Sequence, residues 1–420
     1  MDTFTQKSAK IKIILAVATT VIIFLIGLAF FARPTRSENE KRELTPFPVF
    51  TLESFLSGEY TAHISLWFSD TFPLREPMIA ANAGIQSLYG IRDEQVVGGG
   101  NADDIPTGPA DIEFNPTDDG KGDNFEGTYI NGDTAYQLYY FNKQNSDSYV
   151  SLINDFAEQI GDKAQVYDMI VPLHCQIALS EETVKKYNAS DCGEAIDYMY
   201  QNLADGIKSV DILPNLISHN NEYLYFRTDH HWTARGAYYA YVAFCKEKGI
   251  DPTPLDDYPR YQFNGFLGTF YANANQPAAM RNNPDYVEAF VPIGTNDETV
   301  YDSNGNKLAE YSIVYTKADK YDAANKYLTF IGGDQPLTEI HNPTITDNSS
   351  IVVIKESYGN AFVPFLVDSY EYVYVIDYRA WSGNLCDFVT EKGIDDVLFL
   401  NVVSNTSTGE RLKELSNIIN

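Results

Sequence analysis

An aspartate, two histidines and a tryptophan stand in one run, Asp229-His230-His231-Trp232, and far downstream a serine, Ser357, stands in a short polar turn. Carboxylate, imidazole and hydroxyl are the groups that nucleophilic acyl transfer requires. A carboxylate bonded to one imidazole nitrogen fixes the tautomer and leaves the other nitrogen to take a proton from a nucleophile. In extended chain, residues two apart project to the same side, so Asp229 and His231 point together while His230 turns away. The run falls between an apolar strand pattern, Tyr223 to Phe226, and a helical stripe of Ala237, Ala240, Tyr241, Phe244 and Cys245 with Thr233 as its N-cap.

The nucleophile for such a base is Ser357. The segment Ile351 to Leu366 reads as a buried-type strand run, then a short polar turn that carries Ser357, then a helical pattern. A serine there is held at a strand tip beside helix N-terminal N–H groups that can stabilise an oxyanion. Nucleophile and base then share one edge of a sheet. An Asp with two His also suits a metal-dependent phosphoesterase, but His63, His174, His219 and His341 stand singly without an adjacent Asp. The further ligands of such a centre are missing, and no metal is expected.

Both segments resemble the DHHW family, whose members look like the SGNH-type domains of alginate O-acetyltransferases. The resemblance extends to Ser37 to Leu44 with Phe47-Pro48, Asp70 to Arg75, Gly265 to Tyr271, Phe330-Ile331-Gly332-Gly333-Asp334 and the Ser357 segment. It implies an α/β fold, an SGNH- or flavodoxin-like three-layer sandwich with a mostly parallel sheet in permuted order. It also places the catalytic Asp, His and Ser on Asp229, His231 and Ser357, with no cofactor. The residue before the serine is Glu356 where the relatives carry Asp, so the role of that carboxylate in the turn is open.

Oxyanion donors and sugar-binding groups are expected from neighbouring strand ends. Tyr358 follows the serine, Arg379 follows the strand Tyr372 to Ile376, and Asn401 and Asn405 follow the strand Val397 to Leu400. Arg379 suits a carboxylate or a sugar hydroxyl, and an Asn suits an oxyanion. The plainer alternatives are an ion pair of Arg379 with Asp377 or Glu371, and satisfied turn amides for the two Asn.

Residues 13 to 31 form an uncharged apolar stretch of bilayer-spanning length, preceded by Lys7, Lys10 and Lys12. The positive-inside rule then places the N-terminus in the cytoplasm and the bulk outside, on an uncleaved single-pass anchor. With 58 acidic against 30 basic residues and a net charge of -28, no basic surface is available for nucleic acid. Four cysteines are too few for a disulfide scaffold, although Cys175 and Cys192 are spaced to pair in an oxidising compartment.

The chain divides into a tail and transmembrane anchor (1–35), a membrane-proximal helical segment (36–97), a flexible acidic, Gly-rich loop (98–127), and a catalytic domain (128–420) with a β-rich insertion at about 250–330. Helices over Tyr149 to Ile160 and Glu194 to Ser209, and a strand over Gln165 to Val171, imply helices covering a parallel sheet. The insertion holds strand patterns at Tyr286 to Pro292 and Leu308 to Tyr315. The expected function is extracytoplasmic O-acetyl transfer to hydroxyls of a cell-envelope or exported polysaccharide, with an integral-membrane acyltransferase as donor partner. The alternatives are an acetylesterase with the same triad and a non-catalytic glycan-binding or assembly protein.

Overall fold

Ser350 to Lys355 and Asp396 to Val402 are buried at every position. Strands covered on both faces read as continuous apolar runs, and these two lie side by side in the middle of an eight-stranded sheet. The computed structural model describes residues 127–419 continuously and, before them, residues 33, 35–37, 42–56, 59–73, 78, 95–110 and 112–117. From edge to edge the sheet runs Lys307–Ser312, Asp297–Tyr301, Leu337–His341, Tyr372–Asp377, Ser350–Lys355, Asp396–Val402, Gln165–Val171 and Lys208–Ser209. The last five strands are mutually parallel. The first three join antiparallel.

The sheet is therefore mixed, and the expectation of a mostly parallel sheet holds for one half of it. The reason lies in residues 250–330, whose strands Asp297–Tyr301 and Lys307–Ser312 form a tight hairpin that extends the sheet edge. A short hairpin connection permits only antiparallel pairing. Another pair, Arg260–Phe266 with Asp285–Phe290, forms its own two-stranded sheet.

Helices lie on both faces. Phe399 and Asp168 are in register and share a side, as do Leu398 and Tyr167 on the other side. Phe156, on the helix Lys143–Ile160, meets Phe399, and Phe244, on the helix Ala234–Lys248, meets Tyr167. The helix expected to run to Ser209 is Cys192–Gln201. It ends where Asn202 bonds back to the Tyr198 carbonyl, and Lys208–Ser209 returns as the outermost parallel strand.

The Gly-rich stretch after Val97 has no helix or strand among its described residues, yet it is pinned down. The N–H groups of Ala110, Asn115 and Thr117 donate to the side chains of Asn202, Ser148 and Asn145. These elements belong to the unit Arg92–Tyr271 with Ala279–Asn420; Met1–Ile91 with Ala272–Ala278 form another. In the latter, the helices Leu52–Leu56 and Glu59–Asp70 are described, and Arg33 lies 4.3 Å over the Trp67 ring. Among the described residues no helix is long and apolar enough to cross a membrane, and the stretch 13–31 lies outside them.

Candidate functional site

The chain from Leu224 to Thr233 folds back on itself. Phe226 N–H donates to the His231 carbonyl at 3.2 Å, and Thr233 N–H to that of Leu224 at 2.8 Å. Tyr225 and Trp232 form a single isolated bridge, so the strand expected over Tyr223 to Phe226 is instead one side of a narrow turn. An extended segment becomes a strand only when a partner pairs with it along its length. The turn brings Asp229 and His231 together: the His231 backbone N–H donates to Asp229 Oδ1 at 3.1 Å, and the ring Nδ1 lies 2.6 Å from the same oxygen. Thr233 caps the helix that follows by accepting from Gly236 N–H.

The other carboxylate oxygen, Oδ2, is seated in the Gly268-Thr269 loop, where it accepts from Thr269 N–H at 2.9 Å and from the Thr269 hydroxyl at 3.1 Å. Having given its proton to Asp229, Thr269 Oγ1 accepts from His230 Nδ1 at 2.7 Å. Burial opposes the charge on Asp229, but the His231 and His230 rings and these donors hold its carboxyl well below the usual range. A second buried carboxylate, Asp285, fixes the base of the turn by accepting from Arg227 N–H, Thr228 N–H and the Thr228 hydroxyl.

Because Asp229 only accepts, His231 Nδ1 carries the proton and Nε2 is the free base. Nε2 lies 2.8 Å from Ser357 Oγ. Ser357 is half-buried, just past the C-terminal end of Ser350–Lys355 and ahead of the helix Gly359–Leu366. Glu356 shapes this turn. Its Oε2 accepts from Tyr358 N–H at 3.0 Å and lies 3.2 Å from Ser357 Oγ, while Oε1 accepts from Val402 N–H on the neighbouring strand at 3.1 Å. The longer Glu thus ties the Ser357 turn to the adjacent strand end.

Aromatic side chains lock the two segments together. Trp232 Nε1 donates to the Tyr358 carbonyl at 2.8 Å, and the Tyr358 hydroxyl donates to the His230 carbonyl. Tyr327 stacks on His231 with centroids 4.2 Å apart and rings 12° from parallel, and its hydroxyl donates to the Ser357 carbonyl at 3.1 Å.

The other expected site residues are placed as follows. Tyr358 is buried, and both its N–H and its hydroxyl are used in these ties. Arg379 forms a two-pronged pair with Asp377 at 2.8 and 2.6 Å and reaches Asp334 at 2.9 Å, the plainer of its two readings. Asn401 points into the core, where its amide donates to Tyr149 beside Asp168, so it does not face the serine. Asn405 is buried at the start of the short turn Asn405–Ser407. Cys175 and Cys192 are both buried, free thiols rather than a disulfide.

Lys355, fully buried, bonds Asp334 at 3.1 Å and Asp377 at 3.2 Å. Asp334 ends a strained loop in which Ile331, Gly332 and Gly333 all take positive φ, at 42°, 60° and 87°. A β-branched residue there costs roughly 1–3 kcal/mol, a cost tolerated where the surroundings dictate the position. Sequence reasoning assigned no role to Gly268, Thr269 or Asp334, although the resemblance includes both loops. Tyr327 carried no signal at all.

Asp229, His230 and His231 could also offer three ligand atoms within 4.8 Å of one another. In this arrangement both Asp229 oxygens and both His231 nitrogens are already engaged. A metal centre would have to dismantle the hydrogen-bond chain.

No curated protein matches the chain. A DHHW family protein from Eubacterium siraeum superposes with a TM-score of 0.63 at 31% identity, covering 70% of this chain and 96% of that one. Bacillus cereus PatB1, solved with a sulfonyl adduct, shares the fold with a TM-score of 0.56 at 18% identity, covering 68% and 99%. The DHHW protein family matches residues 40–120 and 109–376. With the Asp-His-His-Trp turn at the centre of its hydrogen-bonded site, the chain belongs to the DHHW family.

Proposed function

We propose that this protein is an extracytoplasmic serine O-acetyltransferase that acylates hydroxyls of a cell-envelope or exported glycan. The observation that supports it is the continuous chain Asp229 Oδ1 to His231 Nδ1 at 2.6 Å and His231 Nε2 to Ser357 Oγ at 2.8 Å. Both distances suit proton transfer, and both histidine nitrogens are committed in the sense a general base requires. In this reading His231 takes the Ser357 proton as Oγ attacks the donor's acyl carbon. His231 then returns the proton to the leaving group as the donor bond breaks, leaving an acyl-serine. A sugar hydroxyl next gives its proton to His231 and attacks the acyl carbon; the acyl–Oγ bond breaks, His231 returns the proton to Ser357 Oγ, and the sugar ester leaves.

The reading carries with it a three-layer SGNH-like fold and an anchor at residues 13 to 31. The acyl donor is then an integral-membrane acyltransferase, because acetyl-CoA is confined to the cytoplasm. An acetylesterase differs only in letting water replace the sugar, and a glycan-binding protein would leave Ser357 unreactive. The test is chemical. Phenylmethylsulfonyl fluoride should label Ser357, and 4-nitrophenyl acetate should give a burst of nitrophenolate that Ser357→Ala removes. Absence of both in folded protein would defeat the enzymatic readings. Acetylated sugar among the products separates transfer from hydrolysis.

A further inference from the structure

We propose that Asp334, backed by Lys355 and Arg379, binds a hydroxyl of a neutral acceptor sugar beside Ser357, an inference that rests on the acyl-transfer reading above. The carboxylate is tied to both sides of the nucleophile turn. Lys355, two residues before Ser357, bonds Asp334 Oδ1 at 3.1 Å, and Asn360, three residues after it, donates to the same oxygen at 2.9 Å. Asn360 N–H in turn bonds the Ser357 carbonyl at 3.2 Å, so Asp334 and the serine share a rigid neighbour.

Exposure sorts this cluster. The side chains of Lys355 and Asp377 are 0% and 1% exposed and that of Arg379 is 16% exposed, whereas that of Asp334 is 41% exposed. The cations and one carboxylate lie behind, and Asp334 is the member of the cluster that solvent reaches, with Oδ1 accepting from Lys355 and Asn360, Oδ2 from Arg379, and one acceptor position left on Oδ2. A purely structural ion pair has no need of a strained loop, yet three successive residues with positive φ bring Asp334 forward. Asn360 is itself 2% exposed, and its carbonyl oxygen has no hydrogen-bond partner next to the amide that holds Asp334. A buried acceptor without a protein donor is unusual.

The charges indicate what the exposed carboxylate takes. Lys355 and Arg379 balance Asp334 and Asp377, so the cluster is neutral and selects neither a cation nor an anion. A charge-assisted acceptor with one position open to solvent suits an O–H donor such as a sugar hydroxyl. Desolvation opposes the Asp334 charge, but Lys355 and Arg379 outweigh it and keep the carboxylate ionised, which makes it an acceptor only.

The experiment uses the full-length protein, 4-nitrophenyl acetate as acyl donor and cellotetraose or chitotetraose as acceptor. The nitrophenolate burst measures acylation of Ser357, and the acceptor dependence of turnover measures transfer. The expected result is that the half-saturating acceptor concentration rises at least tenfold in Asp334→Ala, beyond any loss in acylation. Asp334→Asn, which keeps one acceptor oxygen, should rise less. Equal loss of acylation and transfer in both variants would overturn the proposal, because the carboxylate would then merely position the nucleophile turn. So would preference for a cationic glucosamine tetramer, or a wild-type burst followed by turnover indifferent to both neutral acceptors. A wild type without any burst refutes the acyl-transfer reading instead, before an acceptor is added.

Discussion

Gly268 makes no hydrogen bond to the proposed triad, yet replacing it with alanine should disable the site. A Cβ built there would lie 2.1 Å from Asp229 Oδ2, 2.3 Å from its Cβ and 2.5 Å from its Cγ. Ordinary contact begins near 3.4 Å, so carboxylate or loop must retreat by about 1.3 Å. The demand is for space, because Gly268 is not among the glycines of positive φ. Such a retreat cannot preserve both the 2.6 Å contact to His231 Nδ1 and the 2.9 Å bond from Thr269 N–H. A misplacement of about 1 Å costs on the order of 10²-fold in rate, and loss of the orienting carboxylate in a serine triad about 10⁴-fold. Gly268→Ala should therefore slow acylation of Ser357 by between roughly 10²- and 10⁴-fold, or about 3–5 kcal/mol in the barrier. The assay is the rate of phenylmethylsulfonyl fluoride labelling and of the nitrophenolate burst, with near-UV circular dichroism to establish that the variant is folded. Wild-type rates in a folded Gly268→Ala protein would refute the reasoning about the Asp229 seat.

Trp232→Phe deletes the indole donor to the Tyr358 carbonyl and should lower stability by about 1–3 kcal/mol, read as a shift in the urea midpoint; an unshifted midpoint means the bond is not formed in solution. His174, half-buried with its ring stacked on Tyr225, has its pKa pushed by desolvation from 6.5 down to about 3. Between those values the unfolded chain holds a proton that the native one lacks, so stability falls as pH drops through that window. His174→Phe should flatten this acid loss in denaturation curves taken from pH 7 to 4, and an unchanged slope would assign it elsewhere. Cys175 and Cys192 should resist iodoacetamide in the native protein and both be alkylated after unfolding; a peptide bridged between them in mass spectrometry would contradict the free-thiol state.

Elements whose residues all obey one local pattern were legible in the sequence. The strand Gln165–Val171 is buried from Val166 onward and begins and ends as its apolar run does. The helix Ala234–Lys248 starts after its Thr233 cap. Less legible were segments whose state depends on a distant partner. Tyr223 to Phe226 has strand composition but only Trp232 to pair with. The helix expected to reach Ser209 stops before the Asp205-Gly206 turn, where Gly206 takes a φ of 97° that no helix continues. At the site, the Asp-x-His spacing was visible because it is local. Arg379 lies two residues from Asp377, and local chemistry alone leaves ion pair and ligand contact equally open. Nothing in the neighbourhood of Tyr327 announces that its ring will cover His231, since that contact exists only after the loop 323–329 has docked.

The ties between the Asp-His-His-Trp turn and the Ser357 turn have a kinetic consequence. Ser357 and Tyr358 bond partners 126 and 128 residues away, and half of the eight-stranded sheet is strung along the intervening chain. Contacts this distant must overcome the entropy of closing a long loop before they return any stabilisation. His231 and Ser357 therefore meet only in a chain whose central strands, Ser350–Lys355 with Asp396–Val402 and Asp396–Val402 with Gln165–Val171, are paired. A chain with every helix formed and that central pairing missing has a histidine and a serine but no reactive centre. On the proposed acyl-transfer reading, reactivity toward an acyl donor would report completed folding, and an incompletely folded copy would be chemically silent.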